Sequence, residues 1–94
     1  MRTYELIFIV QPELDETALQ GIIDKVKGWI DEAGGTINKI DNWGKRRLAY
    51  IINKRREGQY VLFDMQIPPT YTGELERNLR FLEPVMRFSL INRE

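Results

Sequence analysis

Gln59-Tyr60-Val61-Leu62-Phe63-Asp64-Met65-Gln66-Ile67 is the stretch on which the fold turns. Its odd members, Val61, Phe63, Met65 and Ile67, are all apolar, whereas Tyr60, Leu62, Asp64 and Gln66 are mixed. Side chains alternate between the two faces of a strand, so the pattern predicts one face under a covering layer and one open face. Pro68-Pro69 closes the strand, because proline has no N–H to give to a ladder. The same parity recurs on either side. In residues 3–10, TYELIFIV, the set Tyr4, Leu6, Phe8 and Val10 is apolar and Thr3, Glu5, Ile7 and Ile9 is mixed. In a last strand from Val85 to Ile91, Met86, Phe88 and Leu90 oppose Arg87, Ser89 and Ile91. A fourth extended region runs from Thr36 to about Asn53, with a bulge or bend expected at Asp41 to Gly44. The turn from it into the decisive strand is expected at Glu57-Gly58.

Two helical patterns interrupt the strands. Pro12 ends the first strand and Asp15 is a good N-cap, with Leu14 and Leu19 spaced as a hydrophobic staple. Leu19, Ile22, Ile23, Val26, Ile30 and Ala33 then form one apolar stripe, and Gly34-Gly35 supplies the C-terminal stop. A second helix over about Thr70 to Leu82 places Leu75, Leu79 and Leu82 on one face, and Pro84 separates it from the last strand. The order βαββαβ predicts an α+β, ferredoxin-like arrangement: a four-stranded antiparallel sheet with both helices packed on one face. Ninety-four residues suit one domain, residues 1–94, able to bury a little over ~60% of the surface its unfolded chain exposes.

Composition narrows the chemistry. Hydrophobic residues at 43% and charged residues at 30% fit a globular domain. The longest purely apolar stretch, Leu6 to Val10, is far short of a membrane span, and secretion is not expected, since no charged n-region and cleavage pattern accompany it. Neither histidine nor cysteine occurs, which removes the commonest general base, the commonest metal ligand and the thiol nucleophile. Ser89, the one serine, has no identifiable base. The loop after the first strand, QPELDE, is acidic and would repel phosphate. An enzyme is not expected, nor a cofactor, a metal or a small-molecule substrate. The lack of cysteine suits a reducing cytoplasm.

Net charge is zero, with 14 cations and 14 acids, yet residues 45–56, KRRLAYIINKRR, hold six cations and no acid. The other 82 residues balance at −6. Charge this unevenly distributed draws a polyanion to one place. Arginine forks grip phosphate at two points, so Lys45, Arg46, Arg47, Lys54, Arg55 and Arg56 are candidate RNA contacts, with alternation sending adjacent members to opposite faces. Base stacking on the sheet is not expected, since Gly58 stands where an RNA-recognition motif needs an aromatic and the first strand offers none to the open face. That face still carries Ile7, Ile9, Tyr60, Leu62 and Ile91, an apolar group suggesting a partner surface. A rival reading is a ligand-binding or regulatory domain that dimerises through its sheet.

Met1-Arg2-x-Tyr4-Glu5, Pro12-x-Leu14-Asp15 and Gly44-x-Arg46-Arg47-Leu48-Ala49-Tyr50, followed by Lys54 and Gly58, resemble the bacterial small-subunit ribosomal protein six family over essentially the whole chain. The resemblance implies a structural role in the central domain of the small subunit, binding small-subunit ribosomal RNA in company with ribosomal protein eighteen. It marks Arg46, Arg47 and Lys54 as RNA-facing, joined by Arg2 and Arg87. Ile51 departs from it, standing where the family often has proline, and the longer C-terminal tail of some members is not expected beyond Glu94. Beside these, Tyr4, Leu48 and Tyr50 are expected in or at the edge of the core, Trp43 packing at the bend, and Arg87 pairing with Glu5 or Asp64 across the sheet.

Overall fold

In the computed structural model, which describes residues 1–93, the chain runs β1 (Arg2–Val10), α1 (Glu16–Glu32), β2 (Thr36–Ile52), β3 (Arg55–Ile67), α2 (Thr72–Arg80) and β4 (Val85–Asn92). The sheet order is β2-β3-β1-β4 with every neighbouring pair antiparallel, the ferredoxin-like topology expected from the element order. The parity of the strands decides where the core lies. Tyr4, Leu6, Phe8 and Val10 of β1 and Val61, Phe63, Met65 and Ile67 of β3 are buried in one cluster with Leu19, Ile22, Ile23, Val26 and Ile30 of α1 and Leu75 and Leu79 of α2. Phe8 and Phe63 meet at 5.7 Å between ring centroids. Burying a side chain of this size stabilises the fold by about 1.5–3 kcal/mol, which fixes both helices to this face.

Local signals set the ends of α1. The Asp15 carboxylate accepts a hydrogen bond from the Ala18 N–H at 2.8 Å. At the other end Gly34, at φ 79°, and Gly35 donate to the carbonyls of Asp31 and Ile30 at 3.0 and 2.9 Å, a Schellman stop. The second helix is shorter than its apolar spacing predicts. Pro69–Tyr71 forms a 3₁₀ turn before it, and Phe81 and Leu82 close it through hydrogen bonds to Arg77 and Leu79. Leu82 nevertheless packs against the core.

The turn between β2 and β3 lies at Asn53-Lys54, not at Glu57-Gly58. Both residues have positive φ, 49° and 65°, and join Ile52 to its partner Arg55. A two-residue turn with both central residues left-handed matches the twist of the strands it links. Glu57 and Gly58 instead sit inside β3, opposite Arg47 and Arg46. Glycine is needed at 58 for room: a Cβ there would collide with the Ile9 Cγ2 methyl. The expected bulge in β2 is present between Asn42 and Gly44, with Trp43 as the extra residue and Gly44 at φ 76°.

Candidate nucleic-acid and partner interface

β1 stops pairing with β3 at Val10, opposite Gln59, so Arg55 to Gly58 and the β2 residues facing them run on as a two-stranded arm. The arm is unequal. Between the pairs Arg47–Glu57 and Ile52–Arg55, β2 has four residues and β3 only Arg56. The longer strand must therefore bend, and it bends over the open face of the sheet. Leu48 is buried, but outside the main core: its Cδ2 lies 3.6 Å from where a Gly58 Cβ would stand, on the side of Ile9. Tyr50, expected at the edge of the core, is 59% exposed. Its ring lies beneath the Arg87 guanidinium of β4 at 5.4 Å, so the arm reaches across the sheet.

A latch holds the turn end of the arm. Arg55 Nε donates to both carboxylate oxygens of Glu13 at 2.9 and 3.0 Å, and Nη2 donates to Glu13 Oε2 at 2.8 Å. Arg55 Nη1 also donates to the Asn53 carbonyl at 3.3 Å, tying the turn to the same point. The hydrogen bonds from Arg55 hold the Glu13 carboxyl below the usual carboxylate range. Gln59, buried at the end of the core, donates from Nε2 to the carbonyls of Gln11 and Leu14 at 3.2 and 3.1 Å and so fixes the loop that carries Glu13.

The candidate cations do not share one surface. Lys45, Arg46, Arg47, Lys54 and Arg56 are exposed along the arm, and none of them is in an ion pair among the described residues. Arg46 is paired with Gly58 and therefore lies on the Ile9 side, whereas Lys45, paired with Gln59, lies on the helix side. Lys54 occupies the tip of the turn. Arg55 is taken up by Glu13. Arg87 lies over Tyr50; among the described ion pairs Glu5 is matched with Arg93 at 3.9 Å, and neither Glu5 nor Asp64 with Arg87. Arg2 stands at the far end of β1, about 26 Å along the strand from Val10.

The apolar candidates do come together. Tyr60 pairs with Ile9, and Leu62 with Ile7, on adjacent rungs of the open face. Ile91, opposite Glu5, is the diagonal neighbour of Ile7 on β4 and is 40% exposed. Asp64 and Glu5 close the next rung with charge. Sequence reasoning missed two members of the site. Trp43 leaves the strand parity at the bulge and stacks on Tyr60, with ring centroids 6.2 Å apart and planes at 19°. Glu13, read only as part of an acidic loop, orders the arm. The arrangement can offer a polyanion cations on a projecting element and offer a protein a short apolar strip beside it.

The chain is similar to known proteins in sequence and in fold. A sequence profile described as Ribosomal protein S6 matches residues 3–92. The chain is 47% identical over 94 residues to the small ribosomal subunit protein bS6 of Clostridium novyi, covering 100% of this chain and 99% of that protein. It is 43% identical over 94 residues to the same protein of Carboxydothermus hydrogenoformans, covering 100% and 98%. The crystal structure of 30S ribosomal protein S6 from Thermotoga maritima superposes with a TM-score of 0.92 at 31% identity, covering 98% of this chain and 87% of that one.

Proposed function

Because the chain belongs to the ribosomal protein S6 family, and so is a structural constituent of the small ribosomal subunit, we propose that it works by binding small-subunit ribosomal RNA jointly with ribosomal protein eighteen. The observation that carries this reading is the curled arm, which holds Lys45, Arg46, Arg47, Lys54 and Arg56 exposed in one projecting element of an otherwise acidic chain. RNA phosphates lie against the arm, with Arg2 and Arg87 extending the contact along the sheet. The second protein covers the strip formed by Ile7, Ile9, Tyr60, Leu62 and Ile91. Arg55 has a different task from its neighbours: it positions the arm through Glu13. A chain of zero net charge gains little from long-range attraction, so a basic partner is a natural complement. The reading involves no catalytic step and no cofactor, and makes the cytoplasmic ribosome the place of work.

A gel-shift on a central-domain RNA fragment, with and without ribosomal protein eighteen, tests it. Charge-assisted hydrogen bonds contribute about 1.5–3 kcal/mol each. The double variant Arg46→Ala/Arg47→Ala should therefore bind the ternary complex at least about tenfold more weakly. Unchanged ternary binding removes the role assigned to the arm.

A further inference from the structure

Trp43 is oddly placed for a residue whose task is packing. It is the extra residue of the β2 bulge and remains 37% exposed on the open face. Its ring is held on several sides. Tyr60 stacks with it, its Nε1–H donates to Asp41 Oδ2 at 3.2 Å, and the guanidinium carbon of Arg46 lies 5.5 Å from its centroid. The space above Gly44 beside it is open, since a Cβ built there would meet nothing within 4 Å. An indole fixed in orientation, partly uncovered and flanked by a guanidinium has already lost the freedom that binding would otherwise cost. Flat π surfaces and guanidinium planes are what unpaired RNA bases stack on.

We infer that Trp43 and Arg46 form a stacking platform for one unpaired base of the RNA. The inference deepens the RNA-binding reading above and rests on it. Charge complementarity favours RNA over an apolar protein segment, because the platform is bounded by a cation with no ion-pair partner among the described residues. Stacking tolerates any base, so the platform adds affinity and fixes register without reading sequence.

The chain has two tryptophans, so Trp29→Phe leaves Trp43 as its sole indole reporter. Emission is followed as a central-domain RNA fragment and ribosomal protein eighteen are added separately and together, with Trp29→Phe/Trp43→Phe as the blank. Addition of RNA to the complex should quench Trp43. Trp43→Leu, which keeps an apolar cover on Tyr60, should weaken ternary binding about fivefold to a hundredfold, and Trp43→Phe much less. Arg46→Lys should not restore binding, although it would suffice for a simple phosphate contact. Full binding by Trp43→Leu with unchanged emission overturns the platform and leaves RNA binding standing. Quenching by ribosomal protein eighteen alone gives the ring to a protein partner and also overturns it. If the wild type binds no RNA in the ternary mixture, the underlying reading fails and the platform with it.

Discussion

A methyl group on Gly58 has no place to go. It would project from β3 into the Ile9 Cγ2 methyl, which is attached directly to a branched β-carbon and cannot swing aside like the end of a long side chain. Gly58→Ala should cost about 1–3 kcal/mol, read as a lower urea midpoint; an unchanged midpoint would show that the arm moves off the sheet freely. The same residue shows why sequence alone misplaces the turn. Glycine serves both bends and close approaches, and only the presence of Ile9 across the ladder tells which applies. Tyr50 was misplaced for a related reason: an aromatic in an extended segment suits either a core or an exposed cation, and Arg87 comes from another strand. Trp43 escaped notice as a surface residue because the bulge breaks the parity by which faces are assigned.

At the scale of elements, α1 was legible from end to end because its signals act within one turn: Asp15 on Ala18, Gly34 on Asp31 and Gly35 on Ile30. The arm was not, because Glu13 and Arg55, which fasten it, are 42 residues apart. Its turn places Lys54 at φ 65°, a conformation that costs a side-chain-bearing residue about 1 kcal/mol. Lys54→Gly should therefore raise stability by up to that amount in denaturant unfolding while lowering ternary RNA affinity; a fall in both would mean that the lysine stem supports the arm. The latch should also sense pH. Hydrogen bonds from Arg55 depress the Glu13 pKa. The stabilisation is thus complete above the unfolded-state value of about 4.3 and is lost as pH falls through the lower folded value. The difference in melting temperature between wild type and Glu13→Gln should shrink on acidification from pH 6 to pH 3. A constant difference would sink the latch as an ionic contact.

The molecule as a whole separates charge between a basic arm and an acidic body, and that division is readable from the order of charges along the sequence. Which side of the arm each cation takes was not, since it depends on the register of Arg46 with Gly58 and on the bend beyond Arg47. If the arm meets phosphates, log affinity should fall linearly with log salt, and each contact should add about −0.7 to −0.9 to the slope. Arg47→Ala should then shallow the slope of the ternary complex by about that amount. An identical slope would place Arg47 away from the RNA backbone.

β1 is made first and finished last. It lies in the interior of the sheet, between β3 and β4, so both of its hydrogen-bonding edges wait for residues beyond 55 and beyond 85. During synthesis the run Leu6 to Val10, with high β-propensity and no charge, stays without its ladder while most of the chain emerges. Any aggregation of the nascent chain should therefore begin from this segment, and the same order of events makes long loop closures, not helix formation, set the pace of folding.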